Sequence, residues 1–79
     1  MKIEPINNRY STEIIGRNVT TVREKDGRSR YALARDCGIH DETLRDLENG
    51  KFIPKVTTLL AIADELGVDI SVFLKGVRT

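Results

Sequence analysis

The stretch "SRYALARDCGIHDETLRDLENG", Ser29 to Gly50, decides how the chain is read. Serine favours helix N-caps, because its hydroxyl accepts from a free backbone N–H of the first turn. From Arg30 to Cys37, the apolar residues Leu33, Ala34 and Cys37 share one face of a short helix. Gly38 ends that helix, since glycine enters a left-handed turn without the strain that a β-carbon adds. Ile39 is a lone apolar residue in a tight turn. A second helix spans 41–48 with Leu44 and Leu47 inward, and Asn49-Gly50 stops it. The opposite face carries His40, Asp41, Glu42, Arg45, Asp46 and Asn49.

Working outward, Ser11 or Thr12 followed by Glu13 can start a helix near 12–26. Ile15, Val19 and Val22 fall at i, i+4 and i+7 and make its apolar stripe, and Gly27 stops it. Downstream, "KFIP" (51–54) is a loop, with Phe52 and Ile53 expected to pack beneath it. A helix over 56–66 is expected to bury Val56, Leu59, Leu60, Ala63 and Leu66, and it ends at Gly67. Asp69 caps a last short helix, "ISVFL", 70–74. The expectation is an all-α bundle of five helices: an N-terminal arm at 1–11, one domain at 12–75 and a tail at 76–79.

The bulk numbers agree with one small domain. A chain of 79 residues has a thin core, which helical packing or dimerisation would support. No apolar run approaches the roughly 18 residues of a membrane span. The N-terminal "MKIEPINNRYST" lacks the apolar stretch of a signal peptide, so a cytoplasmic protein is expected. Cys37, the single cysteine, reads as a small buried apolar residue. No nucleophile–base set, phosphate loop or metal-ligand cluster stands out, so no catalytic residue, cofactor, metal or small-molecule ligand is expected. The net charge is only +1, which argues against a uniformly basic surface and leaves local patches to decide.

Two short helices joined by a glycine-containing turn inside a helical bundle make a helix-turn-helix. "VREKDGRS", "ALARDCGI", "TLRDLENGKFIP" and "TLLAIADELGVDISVFL" extend the pattern. Through them, residues 16–74, about three-quarters of the chain, resemble the lambda-repressor-like (XRE-type) helix-turn-helix family. The resemblance implies a transcriptional repressor that sets its third helix, about 41–48, into the major groove of double-stranded DNA. It implies base reading by Asp41, Glu42, Arg45 and Asp46. Phosphate contacts are expected from Arg28, Arg30, Asn49, Lys51 and Lys55. Arg23 and Glu48 match a pair that links the first and third helices. A homodimer on a pseudo-palindromic operator is expected, with Val72, Phe73 and Leu74 of the last helix and the tail supplying apolar surface.

Plainer readings exist for several of these residues. Arg45 follows Asp41 by four positions, an order that makes a helix-surface pair worth about 0.2–0.5 kcal/mol. His40 suits a turn, and Asn49 can terminate a helix with Gly50. Phe73 and Leu74 can close the monomer's own core. The third helix is also rich in acids for an element that faces phosphates. The alternative function is therefore a protein-interaction module on the same fold, whose acidic helix meets a basic partner and whose DNA binding is weak or lost.

Overall fold

A computed structural model of the chain describes residues 9–78. Most of the arm (1–8) and Thr79 of the tail lie outside the described residues. Four α-helices follow in order: α1 (Thr12–Asp26), α2 (Arg30–Cys37), α3 (Asp41–Glu48) and α4 (Val56–Leu66). Among the described residues there is no strand, only one isolated antiparallel bridge between Tyr10 and Arg78. The fifth element, Ile70–Leu74, is a 3-10 helix and not the expected α-helix. Asp69 caps it by accepting from the Ser71 N–H, and Val72 N–H donates to Asp69 O at 3.0 Å, a bond across three residues. A five-residue piece is too short to gain from the α-helical ladder.

Local chemistry sets the helix starts. Ser11 accepts from Ile14 N–H and Ser29 from Ala32 N–H, so each hydroxyl satisfies one free donor of its first turn. Gly38, between α2 and α3, has φ 74°, which a β-carbon would strain. From that turn the Ile39 N–H donates to Ala34 O at 3.0 Å. This bond folds α3 back against α2.

The core is drawn from every element. Val19, Leu33, Leu44, Ile62 and Phe73 are fully buried, with Ile15, Ala34, Leu47, Leu59, Ala63 and Val77 around them. Val22, Cys37, Ile39 and Leu66 are partly buried against this cluster. The exposed face of α4 differs from expectation. Val56 (62% exposed) and Leu60 (43%) face outward, while Ile62 lies at the centre of the core. The pattern i, i+3, i+4, i+7 fits α4 from Val56 or from Leu59, because apolar residues surround most of the helix. Only packing against α2 and the 3-10 helix selects the second. Phe52 and Ile53 do not pack beneath the loop; both are exposed, and the residue tucked in is Pro54.

Two contacts hold α1 across the molecule. Gly16 lets it approach the end of α3: a β-carbon there would press on the carbonyl of Glu48 and lie 2.5 Å from that of Leu47. Asn18 Nδ2 donates to the carbonyls of Phe73 and Lys75, both at 2.9 Å, and so ties the C-terminal segment to α1. Phe73 is buried in the core while Leu74 faces out. Of the three residues expected to form an apolar end face, Phe73 therefore closes the monomer and only Leu74 is exposed.

Candidate nucleic-acid interface

The α2–turn–α3 unit presents one face of α3 outward. Its spacing follows from Leu44 and Leu47, which are buried and fix the helix rotation. Asp41 and Glu42 stand exposed in the first turn, Arg45 is exposed one turn on, and Asp46 is half-buried beside it. Acids in a first turn are favoured by the free N–H groups and the helix dipole. That gives Asp41 and Glu42 a local reason to be acidic.

Arg45 does not extend freely from this face. Its Nε lies 3.3 Å from Asp46 Oδ1 and its Nη2 lies 3.6 Å from Glu42 Oε1. The Asp41–Arg45 pair that the spacing allows is not among the ion pairs of the described residues. Lys51, past the helix end, sets its Nζ 3.9 Å from Asp46 Oδ1. Backbone geometry brings it there. Gly50 N–H donates to Leu47 O and Lys51 N–H to Asp46 O, both at 3.0 Å, so the chain folds back over the last turn of α3.

Beneath the face lies one buried carboxylate. The Glu48 side chain is 3% exposed, and it joins three helices. Arg23 of α1 donates to both its oxygens, Nε to Oε2 at 2.6 Å and Nη2 to Oε1 at 3.1 Å. The hydrogen bond to Glu48 holds the Arg23 guanidinium above its ordinary pKa. Arg23 Nη1 also donates to the carbonyl of Arg28 at 3.1 Å, and Arg30 Nε of α2 lies 4.0 Å from Glu48 Oε1. Every buried side-chain polar atom among the described residues has a partner. The helix that carries the face is thus anchored to α1 and α2 by charge as well as by packing.

Among the residues assigned to phosphate contact, Arg30 lies 4.0 Å from Glu48 of α3, and Asn49 and Lys51 come directly after that helix. Asn49, Lys51 and Lys55 are exposed and Arg30 is half-exposed. Lys55 sits at the N-cap of α4 without a side-chain capping bond. Arg28 is instead paired within the fold. Its Nε donates to Asp26 at 2.6 Å, its Nη1 to Asp36 at 3.1 Å and Glu65 at 2.9 Å, and its Nη2 to the Glu65 carbonyl at 2.7 Å. These bonds, first of all the one to Asp26, push its pKa far above the usual arginine value. Arg28 is a clamp between the end of α1, α2 and the end of α4. Its partners stand up to 37 residues away, too far for the sequence to suggest them.

Cys37 is half-buried, with Sγ 3.9 Å from the Ala61 carbonyl, and burial raises its thiol pKa. His40 occupies the N-cap of α3 without a side-chain capping bond. One exposed residue went unnoticed in the sequence. Tyr31, 66% exposed, follows Arg30 in the first turn of α2. Its signal was an aromatic residue outside the apolar stripe of Leu33, Ala34 and Cys37.

The sequence profile of the helix-turn-helix family HTH_3 matches residues 20–73. No curated protein matches the chain in sequence. Among solved structures, the chain is similar to the restriction-modification controller protein C.AhdI from Aeromonas hydrophila, at 19% identity and a TM-score of 0.76. The match covers 78% of this chain and 94% of that one. It is similar to an HTH_3 family transcriptional regulator from Vibrio cholerae at 28% identity and a TM-score of 0.74, covering 80% of this chain and 35% of that one. It is also similar to the clp gene regulator ClgR from C. glutamicum, at 22% identity and a TM-score of 0.77, with 90% of this chain and 87% of that one covered.

Proposed function

Because the chain belongs to the helix-turn-helix family HTH_3, whose profile covers its two motif helices, we propose that it is a sequence-specific DNA-binding repressor that reads an operator with α3. One observation carries this reading. The outward face of α3 bears Asp41, Glu42, Arg45 and Asp46, with Arg30 4.0 Å from Glu48 of the same helix and Asn49 and Lys51 just past its end. The helix fits the major groove, where arginine pairs with guanine O6 and N7 and a carboxylate accepts from cytosine N4. In this reading Arg45 takes guanine and Asp41 or Glu42 takes cytosine. Arg30, Asn49, Lys51 and Lys55 hold the phosphates and set the register.

The acids are then discriminators. A carboxylate near a phosphate is repelled unless a base donor compensates, so wrong sequences are disfavoured. The bundle works as a lambda-repressor-like unit with the 3-10 helix in the place of its fifth helix. Two copies sit on a pseudo-palindromic operator with half-sites about 34–36 Å apart. The exposed Leu74 and the half-buried Val72 supply part of the contact between them.

The test is selection of bound sequences from a random duplex pool at two salt concentrations. A two-fold symmetric motif is expected, with affinity that falls steeply as salt rises. Arg45→Ala lowers specific affinity by about 1–3 kcal/mol and relaxes one operator position. A second reading is favoured by the same acids. Arg45 is already paired with Glu42 and Asp46, so the face can serve as an acidic docking surface for a basic protein. An unenriched pool, together with neutralisation of Asp41 and Glu42 that raises affinity equally for every sequence, would favour that alternative.

A further inference from the structure

We propose that Asp46 restrains DNA binding as an electrostatic latch, holding Arg45 and Lys51 in the DNA-free protein instead of touching a base. The inference rests on the DNA-binding reading above and assigns Asp46 its part in it. One carboxylate oxygen, Asp46 Oδ1, lies 3.3 Å from Arg45 Nε and 3.9 Å from Lys51 Nζ. The first of these cations is the proposed guanine reader. The second is a proposed phosphate contact. Asp46 is also the least exposed of the four charged residues on the face, so its carboxylate sits lowest among them.

The placement of Lys51 does not depend on its own charge. The closure after α3, Gly50 N–H to Leu47 O and Lys51 N–H to Asp46 O, carries the lysine back to the turn that bears Asp46. A latch built on a fixed backbone turn loses less side-chain freedom than one between two mobile chains. Asp41, by contrast, makes no ion pair among the described residues. The two acids carry equal charge on one face and have different local duties.

The consequence concerns non-specific DNA. A lysine whose charge is matched by Asp46 displaces no counterion from a duplex, so a random sequence gains little from it. An exposed pair is worth up to roughly fivefold in an equilibrium, so the latch opens once a correct contact is on offer. At the operator, guanine takes Arg45 out of the pair. Asp46 is left with Lys51 alone, and a phosphate must draw the lysine from that one contact. Reading by Arg45 and phosphate binding by Lys51 are coupled through the same oxygen.

The test uses the full chain and the variants Asp46→Asn and Asp41→Asn, whose folding is checked by thermal melting. Asp46→Asn keeps the side-chain shape and leaves the backbone bond to Lys51 in place. Each protein is titrated with a random-sequence duplex and with the selected operator across a salt series. On random duplex, Asp46→Asn is expected to bind up to about fivefold tighter than Asp41→Asn. Its slope of log affinity against log salt should be steeper by about 0.9, one extra phosphate contact. In a Lys51→Ala background the extra slope should vanish.

Equal affinities and slopes for the two variants on random duplex would overturn the latch. So would an Asp46→Asn protein that loses affinity for the operator alone, since Asp46 would then be reading a base. Wild-type protein that binds no duplex even at low salt would overturn the DNA-binding reading and the latch with it, an outcome visible before any variant is measured.

Discussion

Glu48 is where a small change should have its largest effect on stability. Its carboxylate is almost wholly buried and accepts two bonds from Arg23, with Arg30 at 4.0 Å. Glu48→Ala removes the acceptors and leaves the Arg23 guanidinium behind. Breaking a buried pair costs about 3–5 kcal/mol and breaking an exposed one about 0–1. This pair lies between those limits, because Arg23 is 13% exposed and keeps its bond to the Arg28 carbonyl. The expected cost is about 2–3 kcal/mol, less than the deep limit because water can reach one side of the arginine. A domain of this size loses roughly 4–8 °C of Tm per kcal/mol, so the melting temperature should fall by about 10–20 °C. Arg23→Met should cost at least as much, since it strands the more deeply buried partner. The double variant Arg23→Met/Glu48→Leu should recover part of the loss, as apolar replacement of a buried pair often does. Urea unfolding followed by circular dichroism, with linear extrapolation, gives the three free energies and the coupling. A coupling energy below about 0.5 kcal/mol, the usual scatter of independent sites, would refute the assigned link between α1 and α3.

Three further expectations follow from the packing. Gly16→Ala should destabilise by about 1–3 kcal/mol despite alanine's better helix propensity, because the added carbon meets backbone of α3; a stabilised variant in the same urea assay would show that the helices can separate at no cost. Leu60→Lys should change stability by less than about 0.5 kcal/mol, while Ile62→Ala should cost about 2–5, and the reverse order would mean that α4 is turned the other way. Stability should also fall in acid. The carboxyls of Asp26, Asp36 and Asp69 are held below their ordinary values, first by hydrogen bonds to Arg28, Arg35 and the Ser71 backbone respectively. Folded pKa values below unfolded ones give a contribution that is complete above about 3.9 and is lost as pH falls through the folded values. Urea midpoints that do not move between about pH 5 and pH 2.5 would contradict this.

The sequence by itself determined where helices begin and end. Ser11, Ser29 and Asp69 cap, and Gly27, Gly38 and Gly67 stop, through bonds or dihedral freedom confined to a few neighbouring residues. Such short-range chemistry can be read without the fold. So can the outward face of α3, because Leu44 and Leu47 leave one rotation for an eight-residue helix. Tertiary structure decided what depends on partners distant in the chain. The buried face of α4 was ambiguous because apolar residues ring the helix, and contact with the rest of the core chose Ile62 over Leu60. Arg28, expected at a phosphate, is paired with Asp36 and Glu65, which only folding brings beside it. Gly16 gives no sign in the sequence that α3 lies against it, where an added β-carbon would meet the backbone of Leu47 and Glu48. The last element was placed correctly but wound more tightly, since five residues gain more from core packing through Phe73 than from helical hydrogen bonds. Each of these outcomes was fixed by atoms that only folding brings together.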